Sequence, residues 1–320
     1  MTAQTRFTAR FGLQHPVMLA PMAGVADATL AAAVSAAGGL GMIGGGYGDR
    51  DWLTRQIAGA QGNRVGCGFI TWSLAKQPEL LDLALESEPA GIMLSFGDPT
   101  PFAAKIKGAD VPLICQVQTI AQARQALDAE ADIIVAQGSE AGGHGASRGT
   151  FALTPAVADL VSEQSPQTLV LAAGGVADGR GLAAALMLGA DGVLVGTRFY
   201  ATPESPVAPA LKNRVIDSAG DETIRTGVFD LARGYRWPQE FTARAVRNTF
   251  TGEWHGNEDA LDAARTTQGE RYKHAVAEAD SSIVAVFAGE DIDLIHEITP
   301  VAEILTQMSD DAAALLTSHR

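Results

Sequence analysis

The run AQGSEAGGHGASRG, residues 136–149, holds one histidine, His144, among glycines directly after the apolar stretch ADIIVAQG. An imidazole titrates near neutrality, so a histidine on a glycine-bared, mobile-looking loop at a strand end is a candidate general base or charge stabiliser. Glu140 is the acidic residue of the same run. A loop carboxylate there either partners the imidazole or binds backbone N–H groups. The other histidines lie elsewhere: His15 precedes the first apolar run, and His255, His274, His296 and His319 fall late in the chain.

Several chemistries are poorly supplied. The lysines are Lys76, Lys105, Lys107, Lys212 and Lys273, none at the end of an apolar run, so a Schiff-base reaction lacks its nucleophile. Outside His144 and Glu140 the run ends offer no His/Asp/Glu cluster with ligand spacing, and no metal is expected. A formal charge of −14 repels phosphate backbones and anionic lipid, which speaks against nucleic acid and membrane partners. Cys67 and Cys115 sit inside apolar runs and read as buried, reduced thiols. The start MTAQTRFTARFG lacks the apolar core of a signal peptide, and no uncharged, continuously apolar stretch approaches the roughly 20 residues that span a bilayer. A cytoplasmic location is expected, and an organic cofactor is left to carry the chemistry.

The elements that must position these residues are legible as short apolar runs at 15–21, 40–45, 64–71, 90–97, 111–118, 131–138, 168–175 and 190–197. Each is nearly continuous rather than alternating, as a parallel strand covered on both faces requires. Helix-like stretches lie between them, for example 27–38, 77–88, 119–130 and 178–189, with Gly38 and Gly189 as stops. Eight such units predict an α/β fold, a (β/α)8 TIM barrel over 1–202; an open doubly wound sheet is the alternative, since periodicity does not show closure. Residues 203–295 carry no further strand run and read as a helical insertion or small substrate-side subdomain. Its aromatics Tyr235, Trp237, Phe241 and Trp254 either roof a pocket or, more commonly for such residues, fill a core. Residues 296–320 predict a closing helix that starts at Thr299 or Pro300 and packs on the barrel.

In such a barrel the site lies at the C-terminal strand ends. These gather Ala20, Pro21 and Met22; Gly44 to Gly46; Gly68 to Thr71; Ser95 to Gly97; Gln116 and Gln118; Gln137 to His144; Ala173 to Val176; and Gly196 to Arg198. The set is small and neutral. The loops AAGGVADGRG and VGTRF, with a helix N-terminus, predict an anion site for a phosphate-bearing ligand around Gly174, Gly175, Gly196 and Thr197.

APMAGV near the start, AQGSEAGGHG, AAGGVADGRG, VGTRF and FTARAVRN together resemble the nitronate monooxygenase family, once called 2-nitropropane dioxygenases, in order over nearly the whole chain. The resemblance implies an FMN-dependent oxidoreductase that turns alkyl nitronates, and nitroalkanes, with O2 into carbonyl compounds and nitrite. It implies His144 as the catalytic histidine, flavin contacts at Gln137 and Gly142, and a phosphate site at Gly175 and Leu194, Val195, Gly196 and Thr197. Ala20, Pro21, Met22, Gly68, Gln116 and Gly174 complete the expected cofactor cradle. Two positions depart from the pattern: Gly68 stands where relatives often carry Asn, and Leu194 where they often carry Gln. GGLGMIGGG also resembles flavin enoyl-ACP reductases and quinone reductases, which would make the alternative an FMN-dependent NAD(P)H oxidoreductase. A phosphate-binding barrel without flavin, or a ligand-binding protein without turnover, is the reading from another class. Association into a homo-oligomer stays open.

Overall fold

The computed structural model describes residues 4–60 and 62–318. The first three residues and the last two, His319 among them, lie outside the described residues, as does residue 61.

Eight parallel strands form one sheet: β1 (Val17–Leu19), β2 (Gly41–Gly44), β3 (Val65–Ile70), β4 (Ile92–Ser95), β5 (Leu113–Val117), β6 (Ile133–Gln137), β8 (Leu169–Ala173) and β9 (Gly192–Val195). β7 (Gly143–Gly145), β10 (Thr223–Thr226) and β11 (Thr242–Val246) make a second, antiparallel sheet. In the large sheet β1 pairs with β9, and a parallel bridge between Met18 and Leu40 brings β2 back against β1, so the sheet curls into a barrel rather than staying open.

The continuous apolar runs have the reason expected of them, because both faces of each strand are buried. Met18, Ile133, Val135, Leu169 and Leu171 point into the barrel, where Phe7 and Phe11 of the helix Arg6–Phe11 join them. Val17, Leu19, Ile134, Val170 and Ala172 point outward against the helices. Arg6 holds that first helix in place with two 2.7 Å bonds to the Asp191 carboxylate just before β9.

The intervening helices carry their own start signals. Asp27 caps Ala28–Ala36, Thr119 and Gln122 form a capping box on Ile120–Asp128, and Asp178 caps Gly179–Met187, each oxygen taking up amides that the helix itself leaves free. The last helix, Val301–Ser318, packs against Gly179–Met187 and Ala28–Ala36 and buries Val301, Ile304, Leu305 and Met308 in the outer core. His15, buried beneath it, bonds the Ser309 hydroxyl at 2.7 Å and is structural.

Two expectations need correction. The 203–295 region is not free of strands: β10 and β11 lie there, around the helix Val228–Arg233. His144 is not on a loose loop either, because β7 carries it and pairs antiparallel with β11, His144 opposite Ala243. A three-residue strand with glycine at both ends has no side-chain alternation to reveal it.

Candidate active site

The C-terminal strand ends open into one cavity with about 1210 Å3 of atom-free space, its mouth included. Ala20, Pro21, Met22, Gly68, Gln116, Gln137, Gly142, Gly174, Gly175, Leu194, Val195, Gly196 and Thr197 all border it, as does His144. The barrel thus brings every cradle residue expected from the sequence to one place.

The glycine-rich run gains its reason here. A Cβ on Gly142 would lie 2.6 Å from the Ala288 carbonyl carbon and 2.7 Å from the Gly289 nitrogen, so that glycine serves backbone-to-backbone packing of the His144 run on the 288–289 segment. Arg225 and Arg244, on β10 and β11, fasten the run from the other side. Both donate to the Ser139 carbonyl, and Arg225 also reaches the carbonyls of Gly145 and Thr242. Burial lowers the Arg225 pKa to about 10, with the Arg244 charge adding to the effect.

From inside the barrel three glutamines hold the same strand. Gln116 and Gln118 donate to the Gln137 side-chain oxygen at 3.0 and 2.8 Å, and Gln137 Nε2 donates to the His144 carbonyl at 2.9 Å. Gln137 therefore borders the cavity while its amide works chiefly on the protein. Glu140 does not touch His144: its carboxylate accepts from the Thr150 amide at 2.9 and 2.8 Å and from the Thr150 hydroxyl at 2.9 Å, opening the helix Thr150–Gln164.

His144's partner is one the sequence reading did not find. Asp230, on the helix Val228–Arg233, places Oδ2 2.8 Å from His144 Nε2, and the two side chains are only 5% and 9% exposed. A carboxylate oxygen accepts, so Nε2 carries the proton, and the neutral ring keeps its lone pair on Nδ1. Burial holds the His144 pKa below its ordinary value; the Asp230 hydrogen bond and charge oppose this, and the Arg233 and Arg225 charges add to it. The ring is thus set up as an acceptor at neutral pH.

Arg233 also borders the cavity, one helical turn from Asp230. Its guanidinium lies 3.8 Å from Asp230 Oδ1 and over the rings of Tyr47, Tyr235 and Phe287, at 5.3, 4.8 and 5.8 Å from their centroids. Its side chain is 22% exposed and makes no hydrogen bond among the described residues.

Aromatic rings complete this end. Trp237 lies flat on the His144 ring, centroids 3.5 Å apart, and its Nε1 donates to the Tyr47 hydroxyl at 3.1 Å. Tyr235 stacks on Tyr47 at 3.7 Å. Of the four aromatics weighed from the sequence, Trp237 borders the cavity and Tyr235 backs its wall. Phe241 is buried edge-on against Phe96 and Trp237, and Trp254 packs on Phe250 in a separate cluster.

The far end is bare backbone. Gly174 and Gly175 take φ of 100° and 75°, which side-chain-bearing residues rarely adopt. Among the described residues the N–H groups of Gly175, Val176 and Gly196 donate to no protein acceptor. At the N-terminus of the helix that follows, the Asp178 carboxylate takes the amides of Arg180 and Gly181. Arg198 turns away to the Glu297 carbonyl and the Thr299 hydroxyl.

Cys67 and Cys115 are buried, and burial pushes both thiols up to about 12, so neither supplies a nucleophile. Among the described residues no group of His, Cys, Asp or Glu is arranged to hold a metal ion, and no helix is long and apolar enough to cross a membrane.

Comparison with known proteins agrees with this geometry. The model of the family described as nitronate monooxygenase matches residues 4–66 and 68–311. A nitronate monooxygenase of Neurospora crassa is 30% identical, with 93% of this chain and 89% of that protein covered, and nitronate monooxygenase npaC of Metarhizium robertsii is 30% identical, with 94% and 92% covered. Among solved structures, FabK from Thermotoga maritima superposes with a TM-score of 0.85 at 31% identity, covering 100% of this chain and 99% of that one. A nitroalkane oxidase from Streptomyces ansochromogenes superposes at 0.82 with 26% identity, covering 98% and 100%. A match of the family model from one end of the barrel to the closing helix, with a histidine held at the mouth of the same cavity, makes this chain a member of the nitronate monooxygenase family and an oxidoreductase.

Proposed function

We propose that the protein oxidises alkyl nitronates, and nitroalkanes it first deprotonates, with O2 to carbonyl compounds and nitrite, using FMN held across the barrel mouth. The observation that carries this reading is the His144–Asp230 pair at 2.8 Å, because it leaves a neutral imidazole with its acceptor nitrogen free beside a cavity lined by neutral strand ends.

The cavity fits FMN in its chemistry. The unpartnered N–H groups at Gly175, Val176 and Gly196 suit a phosphate, with Gly174 and Thr197 beside them. Ala20, Pro21, Met22, Gly68, Gln116, Gln137, Gly142, Leu194 and Val195 offer the flat, small walls a flavin ring and its chain require. When bound, FMN supplies a two-electron acceptor that O2 can reoxidise.

The chain's own residues do the rest. His144 Nδ1 takes the α-proton of a neutral nitroalkane, and the resulting imidazolium is stabilised by Asp230. A nitronate that arrives as an anion needs no base; its oxygens are received by Arg233, which is both charged and short of hydrogen-bond partners. Trp237, stacked on His144, fixes the ring and keeps water from its face.

The test is turnover with each reductant class. FMN-loaded protein should consume O2 and release nitrite with ethylnitronate in the absence of a pyridine nucleotide. The likeness to FabK makes an NAD(P)H oxidoreductase the competing arm; oxidation of NADH or NADPH with an enoyl thioester or quinone, and none of ethylnitronate, would replace this reading by that one.

A further inference from the structure

The cavity has a second ionisable feature that catalysis at His144 does not use. Asp291, on the turn Glu290–Leu294, is buried, borders the glycine-loop end, and has an Oδ1 with no hydrogen-bond partner among the described residues. Its segment is tied to that end: the Gly289 amide donates to the Thr197 hydroxyl at 3.0 Å, and the Glu290 amide to the Glu140 carbonyl at 2.9 Å.

The groups around it do not offer it a counter-charge. Glu290, Glu140 and Asp178 are all acidic. Nearby cations are committed elsewhere: Arg244 to Glu290 at 2.7 Å and to Ser139, Arg198 to the Glu297 carbonyl and Thr299, and Arg225 to backbone carbonyls. The neighbouring Tyr200 phenol is held far above neutrality by burial. Burial lifts the Asp291 carboxyl to about 6, and the three acidic neighbours add to the rise. A carboxyl in such a place either repels an anion or, protonated, donates a hydrogen bond to it.

We propose that Asp291 in its protonated form is a donor to the phosphate of the cofactor, so that FMN binding takes up a proton and the cofactor is released more readily as pH rises. The proposal rests on the FMN reading above. The sign follows from linkage: a bound phosphate raises the proton affinity of Asp291 further, so affinity is full where the carboxyl is already protonated in the free protein and falls above that point by up to about tenfold per pH unit. The second ionisation of the phosphate itself, near a pKa of about 6, pulls the other way, and a variant must separate the two.

The experiment is titration of flavin-free protein with FMN, read by flavin fluorescence between about pH 6 and pH 8.5, for wild type and Asp291→Asn, with riboflavin as the phosphate-free control. Expected is a wild-type affinity that drops by about ten- to a hundredfold across the range, an Asp291→Asn affinity that does not drop, and weak, pH-flat riboflavin binding to both. Calorimetry of wild type in buffers of different ionisation enthalpy gives an independent readout should the variant not fold: close to one proton taken up per FMN near neutral pH. Parallel FMN profiles for wild type and variant, or no proton uptake, overturn the proposal while leaving the flavin reading intact. Wild type that binds no FMN at any pH overturns the flavin reading and this proposal with it.

Discussion

Asp230→Asn removes one negative charge 2.8 Å from His144 Nε2, at a place where the two side chains are nearly closed to solvent. Two unit charges 4 Å apart at an effective dielectric of about 20 interact by about 4 kcal/mol, or about 3 pKa units. Arg233, 3.8 Å from the other oxygen of Asp230, offsets part of that charge in the wild type, so the expected fall in the His144 pKa is about 1–2 units. The sign is downward, because Asp230 is what opposes the lowering by burial and by the two arginines. The substituted amide can also turn its NH2 towards Nε2, which would move the ring proton to Nδ1 and remove the acceptor. With weaker basicity and the wrong tautomer together, kcat/KM for nitroethane should fall by about 10²–10³. Pre-formed ethylnitronate, which needs no base, should lose less than about tenfold. Oxygen uptake against pH, with flavin content measured in parallel, reads both effects; the acidic limb of the residual nitroethane profile should move to lower pH. An unchanged rate, or equal losses on both substrates, would show that proton transfer to His144 does not limit nitroethane turnover.

Arg233→Met should raise KM for ethylnitronate by about tenfold or more, the value of a lost charge-assisted bond, and lower kcat/KM for nitroethane as well, because deprotonation builds the same anion there; an unchanged KM for ethylnitronate would contradict an anion-receiving role. Glu140→Ala should act on stability, because it strips the Thr150 amide of its acceptor, while the Thr150 hydroxyl keeps the Ala173 and Gly174 carbonyls; a cost of about 1–3 kcal/mol is expected in thermal melts, and a loss of turnover without a lower Tm would restore it as a catalytic candidate. Gly142→Ala forces a methyl against the backbone at Ala288 and Gly289, for an expected loss of about 1–3 kcal/mol together with weaker FMN retention, checked by melting and by flavin content after dialysis. Acid should destabilise the protein through His144: its folded pKa lies below the unfolded value of about 6.5, so stability present above that value is lost as pH falls through the folded pKa, and His144→Gln should flatten that part of the denaturation profile.

The barrel was legible because burial on both faces leaves a plain mark, a run such as ADIIVAQG in which Ile133 and Val135 face inward and Ile134 outward. The mouth residues followed from the runs, since each run's end is the barrel's open face. What surrounds His144 was less legible. β7 is three residues of glycine, histidine and glycine, without the alternation that marks a strand. Asp230 is 86 residues from its partner and sits in a six-residue helix, where nothing local in the sequence distinguishes a histidine partner from a surface acid. Glu140, four residues from His144, was the closer candidate in sequence and turned to Thr150 instead. Gly142, which the resemblance marks as a flavin contact, also makes room for the protein's own backbone at Ala288 and Gly289. Asp291 carries no motif at all; only its burial and its unmatched oxygen make it visible.

On the proposed reading a nitronate, and not a pyridine nucleotide, delivers electrons to a flavin in this cavity beside His144. Its most direct test is anaerobic mixing of the FMN-loaded protein with nitroethane, with ethylnitronate, and separately with NADH or NADPH, followed at the visible flavin band for wild type and His144→Asn. Wild type should be bleached by nitroethane and ethylnitronate and not by the nucleotides, and the His144→Asn protein should keep its FMN but be bleached far more slowly by nitroethane. Bleaching by NADH or NADPH alone, or a His144→Asn protein as fast as wild type on nitroethane, would contradict that reading.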